Sequence, residues 1–394
     1  MANTLLNSNV ITNRALMILH QKSNFIGSIN RAYDDSFQNG GAAIGSTLRV
    51  RLPNQYSVRS GSTMQIQDVA ENSVTLSVAS IKGVDAAFTD ADLALNIVDF
   101  SQQFLEPAMA VLAANIESDA FNMLTDVYNE VSNRGSALTV RQIALARKAL
   151  IDNLAPMDSN LMLRVNTQDN VDLIDNTKGL FNATADLSKQ YREGVFARGF
   201  GFDEIVENTF LTTYTRGAAN TAYTVNGANQ TGATITVQSG SGAVAVGDIF
   251  TLAGCFRVHP ETKVSTGVLQ QFVATAVMAS GGTSLAISPA IVTSGPAQNV
   301  SASPTNSGAV VFAGTASTAN GVSLAYHKNA FTFATADLVI PNNAEQAARK
   351  VQDGISMRYV RAWDQLNGRM TARFDVLYGY KTLRPQLAVR LAAN

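Results

Sequence analysis

Three histidines and one cysteine carry most of the nucleophilic and metal-binding chemistry open to this chain, and they lie far apart. His20, His259 and His327 fall in three different segments, so a histidine-based metal site or catalytic base would have to be assembled by the fold. Cys255 stands alone, which excludes an intramolecular disulfide framework and a cysteine-based zinc site. Its neighbours Leu252, Ala253, Phe256 and Val258 mark it as a small buried hydrophobe rather than a reactive thiol. Asp34-Asp35 and the set Asp85, Asp90 and Asp92 lack the alternation and closing bidentate glutamate of a calcium loop, and read as solvated carboxylates or salt-bridge partners between copies of the chain. Gly240-Ser241-Gly242 follows a strand but precedes more strand, not the helix a phosphate site needs, so it reads as a turn. His259-Pro260-Glu261 and Tyr326-His327-Lys328 read as loop or strand-edge positions, and Trp363 as a core anchor. No Walker-type loop or Gly-x-Ser-x-Gly elbow occurs. No catalytic, cofactor-binding or metal-binding residue is therefore assigned. The chain reads as a structural protein with no cofactor, and not as an enzyme.

The elements that would have to position such residues are told by charge and periodicity. At 394 residues the chain has room for more than one core. Its net charge of −1 gives no long-range attraction to nucleic acid or an anionic membrane. No apolar run approaches the roughly 18 residues of a membrane span, and neither a leader nor a membrane partner is expected. The most distinctive stretch is 217–327, where the charged residues are Asp248, Arg257, Glu261 and Lys263 alone. Alternating Val, Ile, Thr and Ala, cut by Gly, Asn and Ser, mark it as a β domain inserted into an α+β chain.

Before the insertion, a polar stretch to about Asp35 holds one helix candidate with Ile11, Ala15, Ile18 and Leu19 at helical spacing. Leu48, Val50 and Leu52, then Val74, Leu76, Val78 and Ile81, alternate as a long two-stranded hairpin with Arg49, Arg51 and Arg59 on one face. Little is available to bury its other face. Asp90 to Phe104 reads as a short helix. Apolar residues from Leu105 to Val131 then predict one helix from Glu106 to Ser132 with a polar opposite face. Helices are expected over 139–154 and around Asn170 and Ala185, with strands over Leu161–Val165 and within Val195–Thr213. After the insertion, Tyr326 to Leu338 is extended and Glu345 to Gln352 reads as helical. Met357–Trp363 and Met370–Leu377 form a hairpin around Leu366-Asn367-Gly368, and a last strand covers Gln386–Leu391.

This order of elements resembles the major capsid fold of tailed phages, shared with encapsulins and herpesvirus floor domains. Tyr326-His327-Lys328-Asn329-Ala330-Phe331 with Ala334-Thr335-Ala336-Asp337-Leu338 is similar to the segment re-entering the body in short-tailed-phage coat proteins with an inserted domain. Tyr378-Gly379-Tyr380 and Leu383-Arg384-Pro385 resemble that family's C-terminal ending. The resemblance implies an N-arm at 1–35 and an extended loop at 36–88. It implies a peripheral domain with a spine helix at 89–134 and 355–378, and an axial domain at 135–216, 328–354 and 379–394. It also implies an inserted β-barrel at 217–327.

By the same resemblance, the chain is a coat protein assembling as pentamers and hexamers into an icosahedral shell around double-stranded phage DNA. The shell would form in the host bacterial cytoplasm with a scaffolding protein and a portal, and it admits a decoration or cement protein. Two features depart from the family. The hairpin tip Pro53–Gly61 has no lysine, with only Lys82 nearby, so covalent cross-linking is not implied. The scaffold contact has no clear acidic counterpart before Asp34-Asp35. Contacts between subunits are expected to pair Arg49, Arg51 and Arg59 with Asp85, Asp90 or Glu106 of a neighbour. An encapsulin-like compartment and a glycan-binding phage adhesin stay open as alternatives, and a hydrolase would require a pocket with paired titratable groups.

Overall fold

The computed structural model describes residues 12, 14, 15, 17, 24–32, 47–59, 61–64, 66, 72–89, 106–177, 199–211, 213–341, 346–352, 355–367 and 369–393. The expected helices at Asp90–Phe104 and around Ala185, most of the N-terminal arm, Asp34-Asp35, Asp90 and Asp92 lie outside these residues. The chain divides into two compact units, one of 1–50, 73–121 and 331–381, the other of 51–72, 122–330 and 382–394.

In the first unit a helix lies with a five-stranded sheet. Ile355–Asp364 and Arg369–Thr382 form the hairpin the sequence predicts, in register from Arg358↔Asp375 to Asp364↔Arg369. Asp364 staples the turn by accepting the Leu366 and Asn367 backbone N–H groups and the Asn367 side-chain amide. Ser80–Thr89 flanks the long Arg369–Thr382 strand, where Gly83 faces Asp375. A Cβ at Gly83 would lie 2.5 Å from the Asp375 carboxylate, so this sheet position excludes a side chain.

Gln346–Gln352 is a strand, not the expected helix. Its Ala, Arg, Lys and Gln favour helix, but seven backbone pairings to Ile355–Arg361 override so weak a preference. Thr47–Arg51 and Ser73–Ser77 pair as a two-stranded ribbon with Val50 and Leu76 buried. Its base therefore has a burying surface the sequence did not suggest. Gly379 explains part of it: a Cβ there would sit 2.0 Å from the Ser77 carbonyl, so only glycine lets the two backbones meet.

The helix is Glu106–Phe121, 16 residues, and stops short of the expected Ser132. Asn122–Asp126 tightens into a 3-10 turn in which the Thr125 hydroxyl donates to the Asn122 carbonyl. Glu130–Ser132 then becomes a strand parallel to Arg390–Ala392. Asn and Thr weaken helix here, and sheet pairing satisfies the backbone of Glu130–Ser132 instead.

In the second unit the body sheet runs Glu130–Ser132, Ala388–Ala393, Ala319–His327, Leu161–Val165, Glu204–Glu207. Ala319–His327 is buried from Asn320 onward, which is why it carries no charge. The charge-poor run thus extends past the inserted sheet into a central body strand. Helices Val140–Asp152 and Thr167–Thr177 complete the body. The Gln142 carbonyl oxygen accepts the Thr139 N–H at 3.2 Å, the return arm of a capping box. Gln142→Ala is expected to lower stability by about 1 kcal/mol, read as a shifted denaturation midpoint.

The inserted sheet has the order Val310–Phe312, Ile249–Val258, Ser265–Ala274, Ser284–Ile291, Gly232–Gln238, Thr224–Val225. Its two edges meet: Thr224 bridges Ala309, and the Val225 and Val310 N–H groups bond the Gly308 and Tyr223 carbonyls. The sheet is therefore closed into a barrel around Phe250, Phe272, Leu285 and Val310, which removes exposed edges. The Gly240-Ser241-Gly242 segment is a turn, as read. Its glycines are required because a Cβ on Gly240 would fall 2.0 Å from the Tyr223 ring, whose hydroxyl donates to the Gly242 carbonyl.

Candidate functional site

The ribbon is the most conspicuous surface of the chain. Val50 points inward while Arg49 and Arg51 alternate outward, as period two requires. Beyond them the chain is exposed, and Tyr56, Val58, Met64 and Ile66 are between 64% and 95% open to solvent. Arg59 folds back within the tip, with its guanidinium donating to the carbonyls of Gly61 and Thr63, and Gly61 takes a positive φ of 93°. That self-satisfied arginine sets the shape of the tip. It does not reach outward as Arg49 does.

Two acidic members of the expected set, Asp85 and Glu106, are taken up within their own chain. Asp85 lies opposite Arg373 and pairs with it at 3.1 Å; Glu106, at the N-terminus of its helix, pairs with Arg14 at 3.6 Å. Both pairs are largely exposed, so each contributes little and can exchange partners. Lys82, the one lysine near the ribbon, is bound by Asp119 at 2.7 Å, and Tyr378 donates to the same carboxylate at 2.6 Å. Burial followed by that bond pushes the Tyr378 hydroxyl pKa well above its usual range.

Two anchors escaped sequence reasoning. Glu117 is fully buried and accepts the backbone N–H groups of Asn24 and Phe25 at 3.0 and 2.7 Å. Phe25 stacks on Phe121 at 4.3 Å, and Asn30 is bonded through its backbone to Phe331 and Phe333. The later part of the N-terminal arm, at 24–30, is thereby fixed to the helix and to the strand beginning at Phe331. The signal was available: Glu117 stands one turn from Ala113 and Phe121, on the apolar stripe.

The second anchor joins barrel and body. Glu130 takes both Nε and Nη2 of Arg134, with its nearest contact at 2.9 Å; Arg390 lies 4.0 Å from it and donates to the Gly247 carbonyl. Gln271 of the barrel pairs its amide with the Glu130 backbone in both directions. Nearby, Tyr214 donates to Asp248, which also accepts the Gly217 and Ala245 N–H groups.

The other titratable groups do not converge. His327 ends a buried strand, not an edge; its Nδ1 accepts the Asn329 N–H, which leaves the proton on Nε2 to be donated to Asp158. That bond holds the Asp158 carboxyl below its usual range. Asp169 is buried against Ser323, and desolvation pushes its pKa up to about 6. Cys255 is buried, as read, with its thiol pushed up to about 11 by desolvation. Trp363 is 39% exposed beside the hairpin turn and is not the core anchor expected. Among the described residues no three His, Cys, Asp or Glu side chains are grouped to hold a metal, and no helix is long and apolar enough to cross a membrane.

The family model described as P22 coat protein - gene protein 5 matches residues 35–392. The chain is thus a phage coat protein, a structural subunit of the virion shell and not an enzyme. It belongs to the P22 coat protein family and is a major capsid protein with that family's α+β fold. No curated protein matches the sequence. Among solved structures, a chain of Mycobacterium phage Che8 is 13% identical over 94% of this chain and 90% of that one, with a TM-score of 0.48. The capsid of Cyanophage P-SCSP1u gives 11% identity, 89% and 84% coverage and a TM-score of 0.45. The head of Helicobacter pylori bacteriophage KHP40 gives 10%, 94% and 89%, and 0.43.

Proposed function

We propose that this chain assembles as pentamers and hexamers into an icosahedral shell enclosing double-stranded phage DNA. The arm at 1–35, the loop at 36–88, the peripheral and axial domains and the barrel within 217–327 take the places they hold in the family. The observation that carries the proposal is the ribbon. Its base buries Val50 and Leu76, while Tyr56, Val58, Met64 and Ile66 beyond it stand in water. An apolar tip on an extended ribbon gains most from covering by another copy, at about 25 cal/mol per Å² of apolar surface. Arg49 and Arg51 supply the polar rim, drawing on Asp85, Asp90 or Glu106 of the neighbour; the exposed in-chain pairs of Asp85 and Glu106 are weak enough to exchange. A scaffolding protein, a portal, a decoration or cement protein and packaging in the bacterial cytoplasm come with this role.

Electron microscopy of the purified full-length chain tests it. Closed shells of uniform size are expected, and the double variant Arg49→Glu/Arg51→Glu should stay unassembled with an unchanged melting temperature. A wild-type chain that never closes, or charge-reversed shells indistinguishable from wild type, would refute the reading.

A further inference from the structure

A cavity of about 370 Å³ lies where the barrel meets the body, between the turn after Val258 and the segment before the last strand. Its lining holds three cations, Arg257, Lys263 and Arg384, and no carboxylate. We propose that this cavity binds an acidic peptide segment of a partner protein, with Arg257, Lys263 and Arg384 receiving its carboxylates.

The charges are under-compensated. Asp152, just outside, is shared between Lys148 at 2.6 Å and Arg257 at 3.1 Å, so one carboxylate serves two cations. Lys263 donates only to the neutral Gln298 carbonyl at 3.2 Å. Arg384 has no ion pair among the described residues. Burial draws the Lys263 ammonium below its usual pKa range, a cost that an entering carboxylate would offset.

Among the described residues, two of the eight non-glycine residues with positive φ line the cavity. Lys263 and Leu154, both lining the cavity, hold φ values of 58° and 59°, in the left-handed region that side chains rarely adopt. Such strain persists where surrounding contacts fix it, and it is concentrated at ligand sites.

The remaining lining fits a peptide. Asn153, Gln270 and Gln386 offer amide groups that match a peptide backbone, and Gln270 uses its nitrogen on the Gln271 carbonyl, leaving its oxygen to accept. The volume falls within the about 300–1,000 Å³ usual for ligand pockets, enough for a short segment and not a domain. Nucleic acid fits less well. A phosphate backbone is followed by a charged track with aromatic platforms, and here the cations line one open cavity.

This inference does not rest on shell formation and is measured on the unassembled full-length chain. The probe is a fluorescent penta-glutamate peptide followed by anisotropy, with penta-glutamine as the neutral control. Binding that weakens with added salt is expected for the glutamate peptide alone. Lys263→Gln/Arg384→Gln should weaken it about tenfold or more. Circular dichroism melting checks that this variant folds, and Lys263→Met alone should give a smaller loss in the same direction. No binding to wild type, or equal binding to the double variant, overturns the assignment. Displacement by inorganic phosphate or oligo-dT at concentrations no higher than those of free glutamate peptide also overturns it, by marking a general anion site.

Discussion

Glu130→Ala is expected to lower the stability of the purified chain by about 3–5 kcal/mol, the cost of stranding buried charge. The Glu130 side chain is 1% exposed and Arg134 is 8% exposed, and Arg390, also 1% exposed, shares the same carboxylate. Removing the acid leaves two buried guanidinium groups facing each other, with the Asp248 charge as the remaining compensation at Arg390. Neither escapes easily, because Arg134 is held by Asn320 and Arg390 by the Gly247 carbonyl and the Tyr214 ring. Burial already draws the Arg390 pKa down, with the Glu130 charge opposing that shift. Gln271 keeps its pairing with the Glu130 backbone, so the loss reports the charge and not the strand. Denaturant titration of wild type and variant measures it, and a loss under about 1 kcal/mol would show that the network is not what joins barrel to body.

Asp169→Asn should act in the opposite direction, raising stability by up to about 3 kcal/mol at pH 8. Asp169 is 1% exposed, and its pKa is pushed up to about 6, first by desolvation, against the Ser323 hydroxyl bond that lowers it. A folded-state value above the unfolded one means that the protonated carboxyl favours the fold. That contribution is complete at acid pH and is lost as pH rises from about 4 through 6. Asparagine keeps an acceptor for Ser323 and carries no charge to desolvate, so the variant should lose this pH dependence while matching wild type near pH 4. Melting curves across that range decide it. A variant less stable than wild type at pH 8 would mean that Asp169 is held ionised by a group not recognised here.

Much of the architecture was legible because local rules and global packing agree. Charge depletion within 217–327 pointed to strands, since alternating Val, Ile and Thr with few charges suits a closed sheet, although the same run continues into the body strand Ala319–His327. Thr139 announced a helix start, and Asn367-Gly368 announced a hairpin. Where the sequence misled on an element, strand pairing had intervened. Gln346–Gln352 has helical propensity but is captured by Ile355–Arg361. Val127 and Val131 continue a helical stripe, yet Glu130–Ser132 is drawn into pairing with Arg390–Ala392, more than 250 residues away. Trp363 alternates correctly, but alternation does not tell how near a strand position lies to an exposed turn.

The residue types alone determined that no disulfide or cysteine zinc site could form, that an α+β body carries a β insertion, and that an arginine-bearing ribbon leads into it. Such conclusions need only composition and local period. Tertiary structure decided which polar groups come together: Glu130 buried with Arg134 and Arg390, Glu117 buried against the Asn24 and Phe25 amides, and Arg257 with Lys263 and Arg384 around one cavity. Each of these groupings joins positions far apart in the chain, and the energy of a charge depends on its surroundings after folding. Spacing along the sequence carries no record of that environment.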